Sequence, residues 1–165
     1  MLKTDKKLKT NQLVQNRMKS LASFSAIEHR LELVKTIKGV SWVNDSKSTD
    51  AGLTAFSFEN LEEPIIWIVE SSENKRNLDL LHDLALKKVV EIICYGNFET
   101  ELKYYFAAKM KYSFKDNLLD AVSLAVENSK SGNTVLFSPA CPSYSSFKNY
   151  KERGEYFKKL VNDID

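Results

Sequence analysis

Cysteine is nearly absent. The 165 residues hold only Cys94 and Cys141, far apart and in no CxxC pair or metal-ligand spacing. That excludes a disulfide framework and a cysteine-built zinc site, and makes a reducing, cytoplasmic setting the default. A surplus of either charge is also lacking: 24 Lys and Arg face 22 Asp and Glu, a net +2. Composition therefore gives no argument for nucleic acid or a membrane surface. The one basic cluster, Lys3, Lys6, Lys7 and Lys9, reads as a solvated helix end or a loose terminus. Long apolar runs are missing, because the longest are of strand length; no segment is fit to span a bilayer, and the N-terminus lacks a signal-peptide core. There is no internal repeat and no low-complexity tract.

What is present suffices for one folded domain. With 43% hydrophobic and 28% charged residues, the chain has a core's worth of apolar groups and enough charge to stay in solution. Val14, Met18, Leu21 and Ala22 repeat at helical spacing within residues 8–24. Leu31, Leu33 and Ile37 are expected on one face of a strand, and Val40 to Val43 forms a second after a turn at Gly39. A helix is expected over 49–58. IIWIV, Ile65 to Val69, is continuous and rich in β-branched residues, as suits a strand covered on both faces. Helices over 78–86 and 98–108, strands over 88–95 and 111–114, and a helix capped by Asp116 and running to Asn128 follow. That helix should bury Leu118, Val122 and Ala125. Thr134 to Phe137 is the last strand. A closing helix over about 145–161 should bury Phe147, Tyr150, Phe157 and Leu160.

This alternation predicts a Rossmann-like α/β fold: an open, mostly parallel sheet with helices on both faces, an antiparallel edge hairpin and an N-terminal helix. Residues 1–27 stand apart as a helical segment, and 28–165 make the domain. Ligands of such sheets bind outside the carboxyl ends of the strands. Three strand ends here are polar: NDSKSTDAG after VSWV, ESSENKRN after IIWIV, and SPACPSYSSFKNY after TVLF. In the first, Lys47 with the Ser46, Ser48 and Thr49 hydroxyls at a helix N-terminus suits a phosphate or carboxylate. An ordinary capping segment explains the same residues equally well. Ser143 and Ser145 read first as helix caps. Ser46 and Lys47, as sequence neighbours, point apart and make a poor nucleophile pair. A thiol dyad of Cys141 with His29 or His82 is outweighed by a buried inert cysteine and surface histidines.

Four stretches carry a family resemblance: EHRLELV, GVSWVNDSKST, the strand and loop from Ile65 to Asn77, and SPACPSYSSFKNYKERGEYFKKLV. Together they resemble the C-terminal domain of Mur ligases, of the type that adds D-glutamate to UDP-N-acetylmuramoyl-L-alanine. The resemblance runs from about Ser20 onward. It implies a cytoplasmic enzyme of peptidoglycan precursor synthesis that uses ATP and magnesium and passes through an acyl-phosphate. By matching position, Arg30 and Asp45 would meet the adenosine part of ATP. Lys47 would lie by the phosphate and the amino acid as the catalytic charge. Thr49 and Ser143 would bind the D-glutamate carboxylates, with Tyr150 packed beside them. D-glutamate and ATP or ADP are thus the expected small-molecule partners, and no metal ligand is expected within the chain.

Two departures qualify the implication. The glycine-rich GKT/GKS phosphate loop is missing, so the ATP and magnesium sites would lie in domains outside this chain. A separate polypeptide with the ATPase and UDP-binding domains is then a further expected partner. The loop after Val69, which in the family reads like GGxDKGxD, has neither glycine, and ungapped counting sets Asn74 on the lysine position. A stand-alone binding or regulatory module without ligase activity is the second reading. A generic α/β small-anion binder is the third.

Overall fold

The computed structural model describes residues 27–99, 101–143 and 146–165. The expected helix over 8–24 and the Lys3–Lys9 cluster lie outside them. The described elements are β1 (Glu32–Ile37), β2 (Val40–Asn44), α1 (Ala51–Asn60), β3 (Ile65–Glu70), α2 (Asp79–Lys88), β4 (Val89–Tyr95), α3 (Glu101–Phe106), β5 (Lys111–Lys115), α4 (Leu118–Asn128), β6 (Thr134–Phe137) and α5 (Tyr150–Asn162). The six strands form one sheet in the order β1-β2-β6-β3-β4-β5. Only β1 runs antiparallel to its neighbour; the other pairings are parallel. The expected Rossmann-like sheet with an edge hairpin is what forms.

Every residue of β3 is buried, because the period-two alternation of a strand sends apolar side chains to both faces. Ile65, Trp67 and Val69 pack with Phe58 of α1, Leu81 of α2 and Phe106 of α3. Ile66 and Ile68 pack with Leu118 and Val122 of α4 and Phe157 and Val161 of α5. Each fully buried isoleucine contributes about 1.5–3 kcal/mol on transfer from water. Trp67 is the largest side chain of the first face; its indole N–H donates to the Ser138 carbonyl at 2.7 Å, so burial costs it no hydrogen bond. The β2–α1–β3 crossover passes β6, which is inserted between β2 and β3. This reversal of direction in the strand order opens a crevice at the carboxyl ends of these three strands.

Several expected boundaries shift. Leu31, Leu33 and Ile37 do not share a face: Leu31, just before β1, packs on the first face of the sheet, Ile37 packs on the second, and Leu33 is 54% exposed, because the β1–β2 register slips between Leu33 and Lys35. The first helix starts at Ala51, capped by Asp50, whose carboxylate accepts from the Leu53 N–H. Asn117, not Asp116, caps α4 by accepting from the Asp120 N–H. α3 is shorter than expected. α5 begins at Tyr150 because Asn149 accepts from the Lys151 and Glu152 N–H groups and fixes the start there. Phe147 precedes this helix, and Tyr150 and Leu160 are only half-buried, while Phe157 is fully buried. Among the described residues no helix is long and apolar enough to cross a membrane.

Candidate functional site

The segment after β2 divides its polar groups between interior and opening. Asp45 is fully buried. Its carboxylate accepts from the hydroxyls of Ser48 at 2.6 Å, Ser57 at 2.6 Å and Ser138 at 2.8 Å, and from the Leu31 N–H at 3.2 Å. Burial pushes the Asp45 carboxyl above its usual range, and these donors offset only part of that. Ser46 is buried too and donates to the Tyr150 carbonyl at 2.8 Å. Lys47 and Thr49 remain partly open. The capping reading therefore holds for Asp50, which caps the helix. Ser46, Ser48 and Asp50 are engaged within the fold, and Lys47 and Thr49 are left partly open.

The Lys47 ammonium lies 5.8 Å from the centre of the Tyr150 ring, a cation–π arrangement. Its own backbone N–H donates to the His29 carbonyl at 3.0 Å, which ties the loop to the segment before β1. Arg30 sits in that segment, its guanidinium 5.7 Å from the Phe56 ring centre. Ser143 is buried, and its hydroxyl donates to the Phe147 carbonyl at 3.4 Å.

Thr49 opens into a cleft of about 290 Å³ that the three polar strand ends share. Its walls are 49–52 after β2, Ser72 and 74–77 after β3, and 140–142 after β6. A second hollow of about 270 Å³ adjoins it, lined by Glu70 to Asn74, Asn97, Phe98 and Pro142. The convergence expected from the topology is thus present. Lys47, Ser143 and Tyr150 stand beside the main cleft instead of lining it. Lys75 lines it and is exposed, whereas Arg76 is held by Glu101 at 3.1 Å and by the Glu70 carbonyl at 2.7 Å. β3 continues through Glu70, so the following loop opens at Ser71 and not directly after Val69. Ala140 adopts φ 56°, in the left-handed region, and its N–H donates to the Ser48 carbonyl at 3.1 Å. That contact joins the first strand end to the third.

Sequence reasoning missed Arg153. It is fully buried in α5 and bridges all three strand ends. Its guanidinium meets Glu70 at 2.7 Å, the Ser46 hydroxyl and carbonyl at 3.0 and 2.9 Å, and the Cys141 carbonyl at 3.1 Å. The KERG string held no spacing signal for this, since the partners lie far away in sequence.

No thiol dyad forms. Cys94 and Cys141 form no disulfide and are both buried, and burial, reinforced by the Glu70 charge, pushes the Cys141 thiol up to about 11. His29 is buried, not at the surface: its ring contacts the Asn44 amide at 3.0 Å. His82 contacts Asp83 and Lys109. Glu28, His29 and Glu155 are close enough together to share a cation. The Lys158 ammonium already balances that charge, lying 3.5 Å from Glu28 and 3.1 Å from Glu155.

Fold and site define an α/β domain with a polar cleft at its topological switch point. No family model matches the chain. In sequence it is 36% identical over 145 residues to the UDP-N-acetylmuramoylalanine–D-glutamate ligase of Chlorobium chlorochromatii, covering 88% of this chain and 31% of that one. The ligase of the same name from Geotalea uraniireducens is 36% identical over 146 residues, covering 88% and 32%. In structure it is similar to a murein peptide ligase from Psychrobacter arcticus, with a TM-score of 0.57 and 13% identity over 84% of this chain and 31% of that one. It is also similar to the MurF ligase of Thermotoga maritima in complex with ADP, with a TM-score of 0.50 and 19% identity, covering 84% and 32%. These two likenesses show the fold. In sequence the chain is thus similar to part of the UDP-N-acetylmuramoylalanine–D-glutamate ligases, consistent with a Mur ligase C-terminal domain. It spans about a third of the length of the curated relatives it matches.

Proposed function

We propose that this chain is the amino-acid-binding part of a cytoplasmic ligase that adds D-glutamate to UDP-N-acetylmuramoyl-L-alanine in peptidoglycan precursor synthesis. The supporting observation is the shared cleft, with Thr49 and Lys75 on its walls and the Lys47–Tyr150 pair beside it. Thr49 and Ser143 bind the carboxylates of the amino acid, and Tyr150 holds the Lys47 ammonium in place. Counted from Ser71, where the loop opens, Lys75 takes the lysine position of the GGxDKGxD pattern that ungapped counting gives to Asn74. Lys75 then supplies the second cationic contact to D-glutamate. Lys47 steadies the negative charge at the reacting centre, a preorganised electrostatic role.

Arg30 contacts the nucleotide, whereas Asp45, expected beside it, is buried and instead accepts from the neighbouring Leu31 N–H and from internal hydroxyls. The residues present do not fit the phosphates of ATP or a magnesium ion. None of the five glycines builds a phosphate loop, Asp45 is buried, and Glu70 is paired with Arg153. The chain's own part is to bind and orient the incoming amine, since orientation is what the attack on an acyl-phosphate requires. ATP and magnesium chemistry is assigned to domains that the longer relatives have, supplied on the same or a separate polypeptide.

Titration of the chain with D-glutamate, followed by calorimetry or amide chemical shifts, tests this. Saturable binding at millimolar concentration, lost in Lys47→Ala, is expected. No binding of either D-glutamate or ADP overturns the reading. A binding module without ligase activity is the second reading, favoured by Ser71 and Ser72 in place of glycines. It predicts D-glutamate binding but no product when ATP, magnesium, UDP-N-acetylmuramoyl-L-alanine and a competent ATPase domain are added.

A further inference from the structure

Glu70 is an unusual residue to find at this strand end. It is 2% exposed, at the last position of a strand otherwise made of Ile, Trp and Val. A buried carboxylate is strongly disfavoured unless it is paired and hydrogen-bonded. Glu70 has both kinds of partner: the Arg153 guanidinium and the Tyr95 hydroxyl, which donates to the same carboxylate oxygen at 3.0 Å. Arg153 in turn donates to Ser46, one residue before Lys47, and to the carbonyl of Cys141, which precedes Pro142 and Ser143. Burial and the nearby Glu70 charge hold the Tyr95 hydroxyl protonated, so it stays a donor.

We propose that Glu70 and Arg153 are positioning residues: their buried pair locks the strand ends after β2, β3 and β6 into the geometry that presents Lys47, Thr49 and Ser143 to the ligand. A lone arginine at this place would have three donor directions and only carbonyls and one hydroxyl to meet them. Glu70 supplies the charge that keeps the guanidinium in a single orientation, and the planar fork transmits that orientation to two loops at once. The ligand-binding part of this inference rests on the proposed function, while the locking of the loops does not.

Stability and positioning separate in a triple variant, Glu70→Leu, Tyr95→Phe and Arg153→Met. It replaces the polar triad by apolar groups of similar size, an exchange that folded proteins often tolerate. Hydrogen exchange is read at the Ser48 and Ala140 amides, which bond to Asp45 and Ser48 carbonyls in the loops, and at the amides of β4 as reference. The expected result is loop exchange at least tenfold faster with β4 unchanged, and D-glutamate affinity at least tenfold weaker. Unchanged loop exchange overturns the proposal whatever the affinity does. If β4 also loses protection, Glu70→Gln, which keeps the side chain's shape, is read by the same criterion. A wild-type chain that fails to bind D-glutamate overturns the proposed function, and the exchange rates still decide the locking.

Discussion

Gly154 of α5 lies directly against the imidazole of His29. A Cβ built on Gly154 would fall 2.3 Å from His29 Nδ1. That nitrogen is the one contacting the Asn44 amide, and the His29 carbonyl accepts from Lys47. The absence of one methyl group therefore lets α5 close onto the segment that anchors the Lys47 loop. Gly154→Ala should displace the ring and cost about 1–3 kcal/mol by overpacking. Thermal or urea unfolding reads the loss, and D-glutamate titration should show weaker binding at temperatures where the variant stays folded.

Breaking the buried pair from one side should be more severe. Arg153→Ala takes the guanidinium from the buried Glu70 carboxylate, and Glu70→Ala takes the carboxylate from the buried guanidinium. Each should destabilise by about 3–5 kcal/mol. Denaturant midpoints of the two single variants are the measurement. A loss below about 1 kcal/mol in both would mean that water reaches the pair.

The aromatic partner of Lys47 admits a graded test. Tyr150→Phe keeps the ring and should leave D-glutamate affinity within about twofold. Tyr150→Ala removes the cation–π partner, worth about 0.5–1 kcal/mol at a partly exposed site, and should weaken binding about two- to fivefold. Equal affinity in all three proteins would show that the ammonium is positioned by something else.

Two carboxylates give opposite pH signatures. Burial raises the folded-state pKa of Asp45 above its unfolded value. The folded state then holds its proton more tightly, and stability falls as pH rises from the unfolded pKa to the folded one. For Glu32, burial alone would raise the pKa, but hydrogen bonds from the His29 N–H, Lys158 and Asn44 outweigh it and the net shift is downward. Its contribution is present above the unfolded pKa and is lost as pH falls through the folded one. Urea unfolding from pH 4 to 7 should therefore show wild type losing ground to Asp45→Asn as pH rises, and gaining on Glu32→Gln.

The fold was largely legible. IIWIV told of a strand covered on both faces, and alternating helix and strand patterns told of a parallel sheet, because burial imposes a period on the chain locally. Helix starts were less legible: Asp116 and Asn117 are both good caps, and only the backbone path chose Asn117. The shared face of Leu31, Leu33 and Ile37 was not legible, because a register slip in β1 reverses the face, and a slip is set by pairing with β2, not by composition. The candidate site was legible only as residue types: Lys47 and Thr49 stood out as a polar strand end, and the resemblance supplied the roles proposed for them.

Alone, the sequence determined the fold class, the strand ends that carry polar groups and the family to which those groups compare, all of which are local patterns or strings. Tertiary structure decided which of those groups are buried and which stay open. It turned Asp45, Ser46 and Ser48 inward, left Lys47 and Thr49 at the opening, set the loop after β3 to start at Ser71, and brought Arg153 across to Glu70. Hydrogen-bond partners in a buried network are far apart in sequence, and each choice depends on what the neighbouring strand ends leave unsatisfied. No string of residues encodes that accounting; the packed sheet does.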